Sequence, residues 1–246
     1  MLELNTFSIS ARCPRTGMLG VAVSTAVPGV GGICPFVKPD CGAISTQSWV
    51  NPYLGIDGLK LLEQGKSAQD TVDQLVHVDP GRDVRQFGVV DSKGNSAAWS
   101  GSQCTGWFGH LTGPDFSVQG NMLVGARTIE AMAESYIATQ ALTLPERLIA
   151  VLEAGQSAGG DKRGRQSAAM LVYKTEEYPY LSLRVDEHRF PIAELRRVFE
   201  IARHQLLPFV EGMPSRREPL GALPDSVVEM LMTPPSFRPG GGGSAA

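Results

Sequence analysis

Thr6-Phe7-Ser8-Ile9-Ser10-Ala11-Arg12-Cys13-Pro14-Arg15-Thr16-Gly17-Met18-Leu19-Gly20-Val21-Ala22-Val23 is the stretch that decides the architecture. Thr6 to Ser10 alternates polar and apolar residues, Cys13 to Gly17 carries turn chemistry, and Met18 to Val27 reads as a second strand. A β-hairpin is therefore predicted at the start of the chain. Val21-Ala22-Val23 is almost unbroken apolar sequence, the pattern of a strand covered on both faces. A sheet of that kind needs further layers on either side.

The rest of the chain has the elements to supply them. Pro28 to Pro39 reads as a glycine- and proline-rich connection, followed by a short strand at Gly42 to Gln47. Two helical patterns follow, one carrying Leu54, Gly58, Leu61 and Leu62 and stopping at Gly65, the next capped by Ser67 and carrying Ala68, Val72, Leu75 and Val76. Gln86 to Val90 and Ser96 to Trp99 flank the turn Asp91-Ser92-Lys93-Gly94, which predicts a second hairpin. Trp107 to His110 and Phe116 to Gln119 add two strands, and helical periodicity returns over Thr128 to Thr139 and Leu144 to Leu152, with Pro145 at a permitted early position. Ala168 to Tyr173 and Leu181 to Val185 are the last strands, and Pro191 to Pro208 is the last long helix. Strands and helices in this order suit two sheets covered by helices better than a repeating βαβ unit. From Glu211 the chain turns proline- and glycine-rich, with at most one short helix at Asp225 to Met232.

At 246 residues and 42% hydrophobic content the chain can bury one large core. A net charge of −3 argues against sequence-independent nucleic-acid binding, and the arginine clusters are local. No run approaches the roughly 18 apolar residues of a membrane span, and no secretory signal is evident, so the expectation is a cytoplasmic protein with no membrane partner. Cys13, Cys34, Cys41 and Cys104 contain no C-x-x-C pair, and four scattered histidines add no zinc spacing, so no metal is expected. Reduced thiols fit that compartment. No G-x-S-x-G elbow, G-x-G-x-x-G turn or Walker loop is present, which leaves a lipase-like triad and a nucleotide cofactor unsupported. No cofactor is expected.

Four polar islands are candidates for chemistry. Thr6 and Ser8 on the first strand, with Ser24 and Thr25 on the second, either fill a polar face or provide an activated nucleophile. Gln47 and Asn51 offer neutral donors suited to an oxyanion hole or to capping the helix that follows. Asn121, directly after Gly120, either bonds its own backbone or faces a ligand. The fourth island is Glu153 to Ser167, which concentrates glycines with Asp161, Arg163, Arg165 and Gln166 just before an apolar strand. Its charges either pin a loop as an ion-pair network or converge on a ligand, the glycines allowing a close backbone approach.

Thr6-Phe7-Ser8-Ile9, Gly20-Val21-Ala22-Val23, Thr46-Gln47 through Asn51-Pro52 and Gly55, Ser117 to Leu123 and, above all, Gly159-Gly160-Asp161-Lys162-Arg163-Gly164-Arg165-Gln166 resemble the DUF1028 family over about Thr6 to Leu207. The resemblance implies the N-terminal nucleophile (Ntn) hydrolase-like superfamily and hence an α+β fold, a four-layer αββα sandwich. It would occupy residues 1–210, with residues 211–246 as a tail. By position it implies Thr6 as nucleophile, its own α-amino group serving as base. Five residues precede Thr6 here, so that amine becomes available only if they are removed. The second strand ends Thr25-Ala26-Val27-Pro28 where the family tends to have a Ser followed by bulky aromatics, which implies a wider pocket wall.

The expected function is hydrolysis of a linear amide or ureide C–N bond in a small carboxylate-bearing molecule. Thr6, or a water activated by Asp161, would attack. Gln47, Asn51 or Asn121 would hold the oxyanion and Arg163 or Arg165 the carboxylate, with Thr25 and Gln166 lining the pocket. The competing expectation is an inactive Ntn-like protein that binds a small anion or cell-wall fragment. A homodimer is expected in either case.

Overall fold

A computed structural model describes residues 6–160 and 164–233. In chain order its strands are β1 (Thr6–Arg12), β2 (Leu19–Thr25), β3 (Pro35–Lys38), β4 (Gly42–Ser48), β5 (Arg85–Asp91), β6 (Ser96–Ser100), β7 (Trp107–Gly113), β8 (Phe116–Leu123), β9 (Ser167–Tyr173) and β10 (Leu181–Val185). The helices are α1 (Pro52–Glu63), α2 (Ala68–Val78), α3 (Arg127–Ala138), α4 (Leu144–Ser157), α5 (Pro191–Gln205), α6 (Leu207–Glu211) and α7 (Asp225–Met232). The class is α+β, with two antiparallel sheets. One has the order β10-β9-β2-β1-β8-β7, the other β3-β4-β5-β6.

Strand alternation determines what each sheet face meets. On β1, Phe7, Ile9 and Ala11 are fully buried on the side where α4 packs, and α4 also covers β2 while α3 covers β8. Gly20 lets α4 come that close, because a Cβ there would stand 2.9 Å from Leu148 Cδ1. On the second sheet, Ile44, Phe87 and Val89 join Leu54, Leu61 and Leu62 of α1 and Val72 and Leu75 of α2 in one apolar cluster. Each such side chain contributes about 1.5–3 kcal/mol of burial against the entropy of ordering it. The other faces of the sheets meet each other through β1, β2 and β8 on one side and β4 and β5 on the other.

The helices start where capping chemistry allows. Ser67 and Asp70 form a capping box at α2, and Thr143 and Glu146 form one at α4. Three expectations need correction. Pro35 to Lys38, read as connection, is the edge strand β3, where a leading proline loses no ladder bond. Glu153 to Ser157, read as loop, is the last part of α4. That helix stops where Gly159 and Gly160 take φ of 120° and 59° and Gly160 N–H returns to Gly155 O at 3.0 Å. The last long helix ends at Gln205, and α6 begins at Leu207.

The chain divides into two compact units, Met1–Arg196 and Arg197–Ala246. In the second, α7 falls where the sequence placed one short helix, and Ala222 N–H bonds Gly212 O at 2.9 Å to hold the turn before it. The first unit contains both sheets and the candidate site. Among the described residues no helix is long and apolar enough to cross a membrane.

Candidate functional site

Thr6 opens β1 with Thr25 of β2 opposite it on one side and Asn121 of β8 opposite it on the other. The Thr6 hydroxyl donates to Thr25 Oγ1 at 3.1 Å. All three residues are buried, Thr6 at 2% exposure. Gln47, at the end of β4 in the facing sheet, donates from Nε2 to Thr6 O at 3.1 Å, so the two sheets are tied together at this residue.

One step further into the interior the polar face of β1 continues as Ser8. It donates to Gln47 Oε1 and accepts from Ser45 Oγ and from Gln119 Nε2, both at 2.7 Å. Gln47 Nε2 also donates to Gln86 Oε1 at 2.8 Å, which commits both of its hydrogens. Gln86 Nε2 in turn lies 2.7 Å from Ser100 Oγ, 2.9 Å from Gly120 O and 3.1 Å from Gly109 O. Ser117 donates to Gln119 Oε1 at 2.8 Å. Ser8, Ser45, Gln47, Gln86, Ser117 and Gln119 are all fully buried. The sheets thus meet through a hydrogen-bonded network of neutral side chains. Gly88 is the thin point of that layer, since a Cβ there would collide with Gln119 Oε1 and Ser117 Oγ.

This chemistry narrows the choice of nucleophile. Among the described residues the hydrogen bonds of Thr6 and Ser8 go to hydroxyl, amide and carbonyl groups, and none to a carboxylate, lysine or histidine. Cys34 Sγ lies 3.2 Å from Ser45 Oγ, but burial pushes its thiol up to about 12, so it is no thiolate at neutral pH. Cys41 is likewise pushed up to about 11 by burial. Among the described residues no cluster of three His, Cys, Asp or Glu could hold a metal ion.

Two backbone features adjoin these residues in the chain. Ser48, directly after Gln47, has φ of 67°, and Met122, directly after Asn121, has φ of 52°. Neither is glycine, so each left-handed residue costs about 1–2 kcal/mol. Such strain concentrates where side chains must be aimed. Sequence reading missed both.

The remaining candidates are dispersed. Asn51 caps α1, its Oδ1 accepting from Tyr53 N–H at 3.1 Å. Gln166 reaches the site through its backbone, donating N–H to Thr25 O at 2.8 Å while its carbonyl accepts from His188 N–H at 2.8 Å. Arg165 is exposed and stacks on Phe190, its guanidinium carbon 4.6 Å from the ring centroid. Asp161 and Arg163 lie outside the described residues. Thr6, Thr25, Gln47, Asn121 and the Gln166 backbone are therefore brought together, and Asn51 and Arg165 have other partners. Ser8, Ser45, Gln86 and Gln119 complete the group. The signal for Ser8 and Gln119 was the polar residue at every second position of β1 and β8, whereas β4 and β5 carry no such run and gave none for Ser45 and Gln86.

The model of DUF1028, a family of unknown function, matches residues 6–195. The crystal structure of a Silicibacter pomeroyi protein assigned to that family is similar to this chain at a TM-score of 0.82 and 31% identity, over 89% of this chain and 100% of that one. Anbu, an ancestral β-subunit from Yersinia bercovieri, aligns at 11% identity over 85% of this chain and 98% of its own, with a TM-score of 0.37, a likeness too remote to carry weight. No curated protein matches the sequence.

Proposed function

The chain belongs to DUF1028, a family of unknown function, and from that premise we propose that it is a hydrolase of small amides or ureides built as a four-layer αββα sandwich of the Ntn type. The observation that carries the reading is the position of Thr6: first residue of a central strand, its hydroxyl 3.1 Å from that of Thr25 and its carbonyl held by Gln47 from the facing sheet. Cleavage of the Asn5–Thr6 bond would free the α-amine. It would take the proton from Thr6 Oγ1 as that oxygen attacks the carbonyl carbon, then return it to the leaving nitrogen. That the hydrogen bonds of Thr6 and Ser8 among the described residues reach no side-chain base supports this route over a triad. Asn121 would face the oxyanion. Gln47, with both hydrogens committed, orients Thr6 in this reading. Arg163 or Arg165 would take the substrate's carboxylate. In the unprocessed chain the attacking group would be a water activated by Asp161.

A second reading, an inactive binding protein, is favoured by the 2% exposure of Thr6, whose hydroxyl is covered and already bonded. Intact-mass measurement of the purified chain separates the two. A chain beginning at Thr6, together with ammonia or amine release from a panel of amides, ureides and lactams that Thr6→Ala abolishes, is the expected result. A chain that keeps the residues before Thr6, with activity surviving Thr6→Ala and lost in Asp161→Asn, would transfer the chemistry to the water route. No release by any form would leave the binding reading standing.

A further inference from the structure

At the far end of β1 from Thr6, roughly 20 Å away at ~3.3 Å per residue, a cavity of about 480 Å³ opens between the Phe116 end of β8 and helices α3 and α4. Arg15, Asp115, Phe116, Tyr136, Ile137 and Arg147 line it. Arg147 is the unusual member. It is only 3% exposed, and among the described residues its side chain makes one hydrogen bond, from Nη2 to Tyr136 O at 2.8 Å, and no ion pair. Its Nε is buried and has no hydrogen-bond partner among the described residues. The guanidinium lies 3.6 Å from the centroid of the Tyr136 ring, which stabilises a cation but does not neutralise it.

A buried charge without a counter-ion is unfavourable by several kcal/mol. The location adds to the cost, because Arg147 stands in the first turn of α4, at the positive end of the helix dipole. The nearby carboxylate is already engaged: Asp115 Oδ1 accepts from Arg12 Nη1 at 2.9 Å. Arg15 adds a further cation, its Nη2 spent on the carbonyls of Ala141 and Leu142. The cavity thus gathers arginines around one paired carboxylate, with the aromatic rings of Phe116 and Tyr136, tilted at 5.0 Å, as an apolar wall. Its volume suits a small organic molecule.

We propose that this cavity is a second ligand site, separate from the Thr6 centre, and that it takes a small carboxylate with an aromatic or aliphatic body, the carboxylate meeting the guanidinium of Arg147 where it lines the cavity and the body lying on Phe116, Tyr136 and Ile137. Hydrogen bonds from a guanidinium to a carboxylate are charge-assisted and stronger than those between neutral groups.

The test is calorimetric titration of the full chain with benzoate and hexanoate, with benzylamine and benzyl alcohol as controls. One saturable site for the carboxylates, at least about tenfold tighter than for the controls, is expected. Arg147→Met should weaken benzoate by roughly thirtyfold or more. Exchange of an unpaired buried cation for an apolar chain of similar length is not expected to unfold the protein, and circular dichroism checks this. If Arg147→Met does not fold, Gln140→Glu serves instead: Gln140 is an exposed residue of the cavity rim, and a negative charge there should weaken benzoate and leave benzyl alcohol unchanged. Thr6→Ala should bind as the parent does. Three results would overturn the proposal: no saturable binding, in which case Arg147 only holds the end of α3; equal affinity for benzylamine; or loss of benzoate in Thr6→Ala with Arg147→Met unaffected.

Discussion

Thr6 and Thr25 face each other across the first two strands with their hydroxyls 3.1 Å apart, so each buried hydroxyl has the other as a neutral partner. Removing one hydroxyl leaves the other buried with one bond fewer, at about 1–3 kcal/mol, while the net value of the pair is about 1 kcal/mol. Thr6→Val and Thr25→Val should therefore each destabilise by that amount, and the double variant should lose about 1 kcal/mol less than the two together. Urea unfolding of the four proteins measures this. Strictly additive losses would mean that the hydroxyls are not coupled.

Gln86 reaches both sheets, its Oε1 accepting from Gln47 while the two hydrogens of its Nε2 are shared among Ser100 Oγ and the carbonyls of Gly109 and Gly120 in two strands of the facing sheet. Gln86→Leu fills similar space but strips partners from both sheets, so a loss of about 2–3 kcal/mol is expected. For a domain of this size that lowers Tm by roughly 4–12 °C. Scanning calorimetry gives the number. A fall of less than about 1 °C would show that the network contributes little to stability.

Cys34 should be silent toward thiol reagents in the native protein, because burial holds it protonated up to about 12. The sign of the pH effect follows. Its folded value is raised above the ordinary thiol value of 9.0, so its contribution is fully present below pH 9 and is lost as the pH rises from 9 toward 12, where only the unfolded chain gains by ionising. Stability measured over that window should fall less steeply in Cys34→Ala than in the parent. Rapid labelling of Cys34 by iodoacetamide at pH 8, located by peptide mass, would contradict the burial.

Elements with a strong local period were legible in the sequence. The hairpin of Thr6 to Val27, the helix that Ser67 caps and the short helix at Asp225 all form. What misled was tertiary. The helical period read in the sequence stops at Leu152, yet α4 runs on through Gly155 to Ser157, where Met132 and Phe7 pack 2.9 and 3.2 Å from the place a Gly155 Cβ would take. The polar face of β1 has the same alternation whether it meets water or another sheet, and here it meets Ser45 and Gln47. Thr6, Thr25, Gln47 and Asn121 were visible as candidates from strand position. Gln86 was not, since a glutamine between strand residues looks like a solvated position until the facing sheet is in place.

That same facing sheet makes Gly88 a test of how tightly the layers are fitted. Its missing Cβ leaves room for the Gln119 amide and the Ser117 hydroxyl, and an added methyl must push Gln119 off Ser8, which Gln119 Nε2 bonds at 2.7 Å. Gly88→Ala alone should cost about 1–3 kcal/mol from overpacking, plus the strained network. Gln119→Ala alone leaves a cavity and an unfilled bond, and costs about as much. Combined, the methyl occupies part of the space that the amide vacates, so the double variant should be more stable than the sum predicts by about 1 kcal/mol or more. A cycle that closes additively would show that the sheets can slide apart at Gly88 without cost, and the neutral layer that holds Thr6 in place would then be looser than its hydrogen bonds indicate.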